Sequence, residues 1–559
     1  MSSTQISVGI DDFEKIREDK YYYVDKTWFI KELLDKKAEV NLFTRPRRCG
    51  NTLNLSMLKC FFEIPVDGKS KKALFDGLKI MEAGEEYRKK QESYPVIFLT
   101  LKSAKQKNFE LAHGCLKEAI GKEYLRHDYV LESLRTKEQQ RKYIAIRDEK
   151  AAEKDYQTSL AFLSECLYQY HQKKVIILID EYDVPLENAY FQGFYDDMMF
   201  FIRSVFESVL KSNPYLEFSV ITGCLRISKE SIFTGLNNLE MLSILNRGYA
   251  EYFGFTRTEI KEMLHAYGLE KLEGLVKEWY DGYLFGSTEV YNPWSIVCFV
   301  KEAFYENECA PKSYWATTSS NTVIRSMIDR ASDAATRNDL EILMQGGEIE
   351  KPVHEDVTYD EIYNTTDNLW NFMFFTGYLK KSGERIEEDG ERFISLKIPN
   401  KEVALIFRQK ISGWFQEFVE NRKMTTFYQA IVEKDTDVMQ EELSDLLMKT
   451  ISYEDYRENF YHGFLLGCLT GMKDYIVLSN REGGLGRSDI IIKHPSFKNG
   501  AYILELKYTK NPRELEEQAE LALKQIKDKK YREELYNEGY DRITCYGISF
   551  CKKDCCVKR

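Results

Sequence analysis

The sequence predicts an α/β protein in three parts: a parallel-sheet core over residues 1–245, a mainly helical lid and connector over 246–410, and a smaller α/β module over 411–559. Three observations carry this division. Pro95 to Thr100, Lys174 to Asp180 and Glu217 to Gly223 are short apolar runs separated by helical stretches of tens of residues, the alternation of a parallel sheet covered on both faces. From Tyr249 the pattern turns helical, punctuated by the aromatic turns Trp279-Tyr280-Asp281-Gly282-Tyr283 and Tyr291-Asn292-Pro293-Trp294. Near the C terminus strand-length runs return, Gly486 to Ile492 and Tyr502 to Lys507, around a turn-forming stretch from Pro495 to Gly500.

Composition bounds the rest. A chain of 559 residues exceeds a single core, and 43% hydrophobic content with 14% aromatic residues suffices for packed domains. No run of 18 apolar residues occurs and Met1-Ser2-Ser3-Thr4-Gln5 has no charged-then-apolar leader, so no membrane partner is expected and the expected location is cytoplasmic. Twelve cysteines are scattered without Cys-x-x-Cys pairs, which argues for reduced thiols and against structural zinc. A net charge of −11 disfavours non-specific polyanion binding, although Arg481, Arg487, Lys493, Lys498, Lys507 and Lys510 gather around the C-terminal strands.

In the core, Tyr21-Tyr22-Tyr23-Val24-Asp25-Lys26-Thr27 leads into a helix with Phe29, Ile30, Leu33 and Leu34 on one face, then a strand at Val40 to Thr44. Arg45-Pro46-Arg47-Arg48-Cys49-Gly50-Asn51-Thr52 follows as a tight loop opening a helix. A P-loop uses this geometry because amides at a helix N terminus cradle phosphate oxygens. Against G-x-x-x-x-G-K-[ST], Gly50 and Thr52 are kept, Arg45 replaces the first glycine and Asn51 replaces the lysine. Arg45, Arg47 and Arg48 are candidate replacement cations, or ordinary loop arginines. The apolar strand ending in Asp180 and Glu181 has the Walker B pattern, with Asp180 and Thr52 placed to hold Mg²⁺ and Glu181 to polarise a water. A plain core strand with an acidic end is the alternative. Losing the lysine removes a charge-assisted contact of roughly 1.5–3 kcal/mol, so ATP binding with very slow hydrolysis is expected.

In the C-terminal module, Glu505 and Lys507 lie two residues apart on one strand face, and Asp489 at the start of the preceding strand can lie beside them. Two carboxylates suit a hard ion, Mg²⁺ or Mn²⁺, and a neighbouring ammonium can orient a water. Exposed charges on an edge hairpin are the alternative; the flanking Ile490, Ile491, Ile492, Leu504 and Leu506 favour a central sheet. His462 reads as a packed helix histidine.

These motifs, with Glu458-Asn459-Phe460-Tyr461-His462-Gly463 and Gly486-Arg487-Ser488-Asp489, resemble the bacterial family that joins a AAA-ATPase-like domain to a C-terminal PD-(D/E)XK nuclease domain, over the whole chain. The resemblance implies a P-loop NTPase-like core and a restriction-endonuclease-like nuclease domain, with Leu396 to Val403 at the junction ahead of it. The family's loop runs Arg-Pro-Arg-Arg-x-Gly-Lys-Thr, so Arg45 is usual and Asn51 is not. It further implies catalysis by Asp489, Glu505 and Lys507, a metal-site glutamate from the first nuclease helix (Glu458, with Glu482 as competitor), a site-lining Gln525, and Arg226 as nucleotide sensor or finger; a capping role for Arg226 and surface roles for Glu458 and Gln525 stay open. The function expected is a nuclease using Mg²⁺ and regulated by ATP, acting on nucleic acid with DNA ahead of RNA, and compatible with a homo-oligomer. A nucleotide-sensing signalling or scaffold protein whose nuclease-like domain binds without cleaving is the second reading.

Overall fold

The computed structural model describes the chain apart from residues 1–4, 226–231, 234–235, 307–308, 316–333, 356–364, 389, 422–423, 450–457, 470, 473, 484–485 and 530, and apart from the side chains of 334, 412–421, 449, 458–460, 480–483 and 486–488. Two compact units result, Met1–Ser320 with Glu348–Leu405, and Asn321–Gly347 with Ile406–Arg559.

The first unit is built on five parallel strands, β1 (Val40–Thr44), β2 (Val96–Thr100), β3 (Val175–Asp180), β4 (Leu216–Gly223) and β5 (Leu239–Leu242), in the order β2-β3-β4-β1-β5. Every residue of β1 and β3 is buried, so the continuous apolar run of β3 reflects a sheet covered on both faces. The mixed tetrapeptide of β5 carries no strand signal of its own and is held by parallel pairing to β1, Val40 against Leu239. Thr44 lies beside Gly223 and Thr100 beside Asp180, so the C-terminal strand ends form one row. Crevices beyond such ends are where α/β sheets bind ligands.

The stretch expected to be mainly helical also carries two small sheets. One is β6 (Phe255–Thr256), β7 (Tyr283–Phe285) and β8 (Thr288–Tyr291), in the order β6-β8-β7. The other is β9 (Ile349–Pro352), β10 (Lys380–Ile386) and β11 (Arg392–Lys397), in the order β10-β11-β9. Their strands are too short and polar to outweigh the helical periodicity around them. Asn292 and Pro293 have a local cause: Asn292 Oδ1 accepts the amides of Trp294 at 3.0 Å and Ser295 at 3.4 Å, and Pro293 occupies the first position of the helix Pro293–Tyr305, where no amide is needed.

The second unit holds a mixed sheet of β12 (Ile476–Gly483), β13 (Gly486–Lys493), β14 (Ala501–Tyr508), β15 (Ile543–Cys551) and β16 (Asp554–Lys558), side by side in chain order. All neighbours are antiparallel except β14 and β15. Alternation assigns the faces. Ile490, Ile492, Leu504 and Leu506 join the cluster of Phe427, Leu443, Tyr461 and Leu465 from the preceding helices. Ile491 and Ile503 join Ile526, Tyr531 and Leu535 from the helices that follow β14. Asp489, Glu505 and Lys507 have the parity of this second face.

Candidate functional sites

The loop between β1 and the helix Asn51–Phe62 alternates in backbone hand. Arg48 (φ 68°) and Gly50 (φ 92°) are left-handed with Cys49 between them, an alternation that builds an anion-binding concavity, and a side chain at Gly50 would be strained. The concavity opens directly onto the N terminus of the helix Asn51–Phe62. Asn51 Oδ1 is buried without a hydrogen-bond partner.

The three loop arginines separate. Arg45 corrects the expectation of a phosphate-facing cation: it is fully buried, donates from Nη1 to the carbonyls of Leu242 at 2.6 Å and Thr44 at 2.9 Å, and lies against the Phe253 and Phe285 rings. Burial lowers its pKa to about 9. Its side chain is spent on tying β1 to β5. Arg47 forms an ion pair with Glu187 of the helix Val184–Gln192, and the Arg48 guanidinium lies 4.4 Å from the Trp294 ring centre. Arg226 lies outside the described residues.

Thr52 Oγ1 and Thr222 Oγ1 donate to the two Asp180 oxygens, each at 2.8 Å, from the P-loop helix and from β4. Asp180 is fully buried, which raises its pKa against those two hydrogen bonds. Glu181 sits at φ 52°, and burial, with Asp180 beside it, pushes its pKa up to about 7. Sequence reasoning missed Asp183, whose Oδ2 accepts the amides of Cys224 at 2.8 Å and Leu225 at 3.0 Å and so holds the end of β4 against β3. Burial pushes its pKa up to about 6. Gly223 permits that approach, since a Cβ there would stand 2.5 Å from the Tyr182 ring.

A cavity of about 410 Å³ opens over this loop. Its lining includes the polar Arg47, Asn51, Thr52, Lys102, Lys105 and Glu181, with Gly50, and the apolar or aromatic Ile6, Ile10, Tyr22, Phe255, Trp294 and Val297. Its size is that of a small-molecule site. The donor set fits a nucleotide: a helix N terminus with a left-handed glycine, a hydroxyl beside a carboxylate for Mg²⁺, and apolar and aromatic side chains in the same lining for a base.

In the second unit, the amide of Asp489 donates to Glu505 Oε2 at 3.3 Å, and the amide of Leu506 donates to Asp489 Oδ2 at 2.8 Å. Gln525 Nε2, from the helix Leu515–Asp528, donates to Glu505 Oε1. Glu505 is 1% exposed, while Asp489, Lys507 and Gln525 are half-buried. The structure thus brings Asp489, Glu505 and Gln525 together, with Lys507 following on the same face of β14. Among the described residues no group of three His, Cys, Asp or Glu side chains converges. Two carboxylates with lone pairs to spare remain an all-oxygen donor set that fits Mg²⁺, which takes one or two protein carboxylates beside water and phosphate. Glu458 begins the helix Glu458–Leu469, whose apolar stripe packs on the opposite sheet face; its side chain and that of Glu482 lie outside the described residues.

Two further side chains touch the site. His462 Nε2 lies 3.1 Å from the carbonyl of Asp489, so the histidine packs as expected but also touches the backbone of a site residue. Tyr531 is 2% exposed and hydrogen-bonds Gln525; burial first, then Glu505 and Asp489, raise its pKa. It stands on the following helix, where no motif marks it.

Residues 7–233 match a family described as a predicted AAA-ATPase, AAA-ATPase-like, and residues 456–559 match the PD-(D/E)XK nuclease superfamily. Over 570 aligned positions the chain is 26% identical to a protein of Azotobacter chroococcum mcd 1 described as an uncharacterized protein in the vnfD 5′ region, covering 99% of this chain and 97% of that one. The similarity therefore runs through both units and the segment between the two matched domains.

Proposed function

Because the chain joins a AAA-ATPase-like domain to a C-terminal PD-(D/E)XK nuclease domain, we propose that it is a metal-dependent nuclease whose nucleotide-binding module regulates phosphodiester cleavage of nucleic acid, with DNA the preferred polymer. The observation that carries this reading is the convergence of Asp489, Glu505 and Gln525 on one face of a central sheet. Mg²⁺ or Mn²⁺ bound there would polarise the scissile phosphoryl group and make a water acidic. Asp489 and Glu505 supply the oxygens, each already oriented by a backbone amide. Gln525 fixes the Glu505 rotamer, and Lys507 orients the attacking water and offsets phosphate charge.

In the first unit, Thr52 and Asp180 would hold the Mg²⁺ of a bound ATP, Gly50 and the helix N terminus would cradle phosphate, and Glu181 would polarise the attacking water. Asn51 makes ATP a regulator more than a fuel. The segment 246–410 serves as lid and connector, and the setting is the cytoplasm. Asn51 also sustains a second reading, a nucleotide-sensing scaffold whose nuclease-like domain binds without cutting. Incubation of the full chain with circular DNA, linear DNA and RNA, with Mg²⁺ or Mn²⁺ and with or without ATP, separates them: cleavage that requires metal and changes with ATP supports the first, and binding without cleavage under every condition overturns it in favour of the second.

A further inference from the structure

We propose that Lys102 supplies the phosphate-facing cation that Asn51 removes from the P-loop. This rests on the nucleotide-binding reading of the cleft and assigns a role to a residue outside every recognised motif.

The loop arginines are held by other partners, although Arg47 and Arg48 also border the cleft. Arg45 is buried against two carbonyls, Arg47 is paired with Glu187, and Arg48 lies over Trp294. Lys102 is differently placed. It opens the 3-10 turn Lys102–Ala104 directly after β2, and β2 is the neighbour of the Walker B strand. Thr100 stands in register with Asp180, and the next residue, Leu101, donates its amide to the Asp180 carbonyl at 3.0 Å. Sheet order thus delivers Lys102 to the acidic end of the cleft, whose wall it shares with Asn51, Thr52 and Glu181.

Its present tie is loose. Lys102 Nζ lies 3.5 Å from Asp11 Oδ2, with the two side chains 58% and 56% exposed. An ion pair this exposed is weakly held, and a flexible four-carbon stem can leave one carboxylate for several phosphate oxygens. A P-loop lysine reaches the same oxygens from the helix. Lys102 reaches them from the far side of the Walker B strand, so the charge is kept while its origin in the fold changes. Lys105, on the same wall, adds a second positive charge.

The test is nucleotide binding to the full chain by calorimetry, comparing ATP, ADP and adenosine. Lys102→Met should weaken ATP by about ten- to a hundredfold, the worth of a charge-assisted contact, while adenosine changes less than about twofold. Lys102→Arg should retain most of the ATP affinity. The loss should shrink in an Asn51→Lys background, because the two cations then serve one ligand and their effects are not additive. Lys107→Met, an exposed cation of the same segment outside the cleft wall, controls for the general field. Unchanged ATP affinity in Lys102→Met, or an equal loss in Lys107→Met, overturns the assignment with nucleotide binding intact. Failure of the unaltered chain to bind any of the three ligands overturns the nucleotide reading itself.

Discussion

Asp489 and Glu505 are fastened to each other through the backbone: the amide of Asp489 donates to Glu505 Oε2 at 3.3 Å, and the amide following Glu505, that of Leu506, donates to Asp489 Oδ2 at 2.8 Å. Each carboxylate is oriented by the strand that carries the other. The pair is therefore held in place by the sheet itself, the preorganisation that the proposed metal site requires.

Removal of either carboxylate should abolish cleavage. Asp489→Ala and Glu505→Ala are expected below detection in a Mg²⁺-dependent assay with the circular dichroism spectrum unchanged. Lys507→Ala should lose about 10²–10⁴-fold in turnover with metal binding retained. Gln525→Ala, which frees Glu505 Oε1, should raise the Mg²⁺ concentration needed for half-maximal cleavage by about 10–100-fold. Full activity in Asp489→Ala would refute the assignment.

Salt dependence tests the substrate surface. Lys510 is exposed two residues beyond β14, and Arg487 lies within β13. If each contacts a phosphate, reversing either charge should weaken nucleic-acid binding and reduce the slope of log affinity against log salt by about one. An unchanged slope in both would place the polymer elsewhere.

Asn51→Lys should accelerate ATP hydrolysis above the slow rate expected of the natural chain, because a lysine there restores charge at the transferring phosphate. Glu181→Gln should change little alone and should block that gain. Asp180→Ala should weaken Mg²⁺-nucleotide binding, since it removes the carboxylate that Thr52 and Thr222 hold. Brisk hydrolysis by the natural chain that depends on Glu181 would mean that another cation already serves the γ-phosphate during turnover.

Stability should carry the signature of Glu402. This carboxyl is 1% exposed, accepts the Ser295 hydroxyl at 2.8 Å and the Trp315 amide at 2.9 Å, and burial pushes its pKa from 4.5 up to about 7. Below pH 4.5 both folded and unfolded chains hold the proton. Between 4.5 and 7 the unfolded chain releases it first, so stability falls as pH rises across that window and levels off above it, on the order of 3 kcal/mol in total. Urea titrations of Glu402→Gln from pH 4 to 8 should lose this component of the pH dependence; identical profiles for the two proteins would exclude it.

Much of this was written locally. Continuous apolar runs announce strands buried on both faces, and β3 and β4 begin within a residue of the runs Lys174 to Asp180 and Glu217 to Gly223 and end with them. A period of two is enough to put Glu505 and Lys507 on one face, and helical spacing is enough to bury Ala519, Ala522 and Ile526 beside Gln525. Loop chemistry at Gly50 and the acidic end at Asp180 likewise need only neighbouring residues to be recognised.

What those residues do was decided by residues far away in sequence. Arg45 stands in a loop that reads as phosphate-binding, yet the carbonyl of Leu242 and the rings of Phe253 and Phe285 draw it into the core. β5 exists through its pairing with β1, and Lys102 reaches the cleft only because β2 lies next to β3. Tyr531 meets Gln525 through the packing of two helices on one sheet face. Periodicity determines which way a side chain leaves its own strand or helix. The partner it then meets depends on sheet order and long-range register, which no local pattern contains.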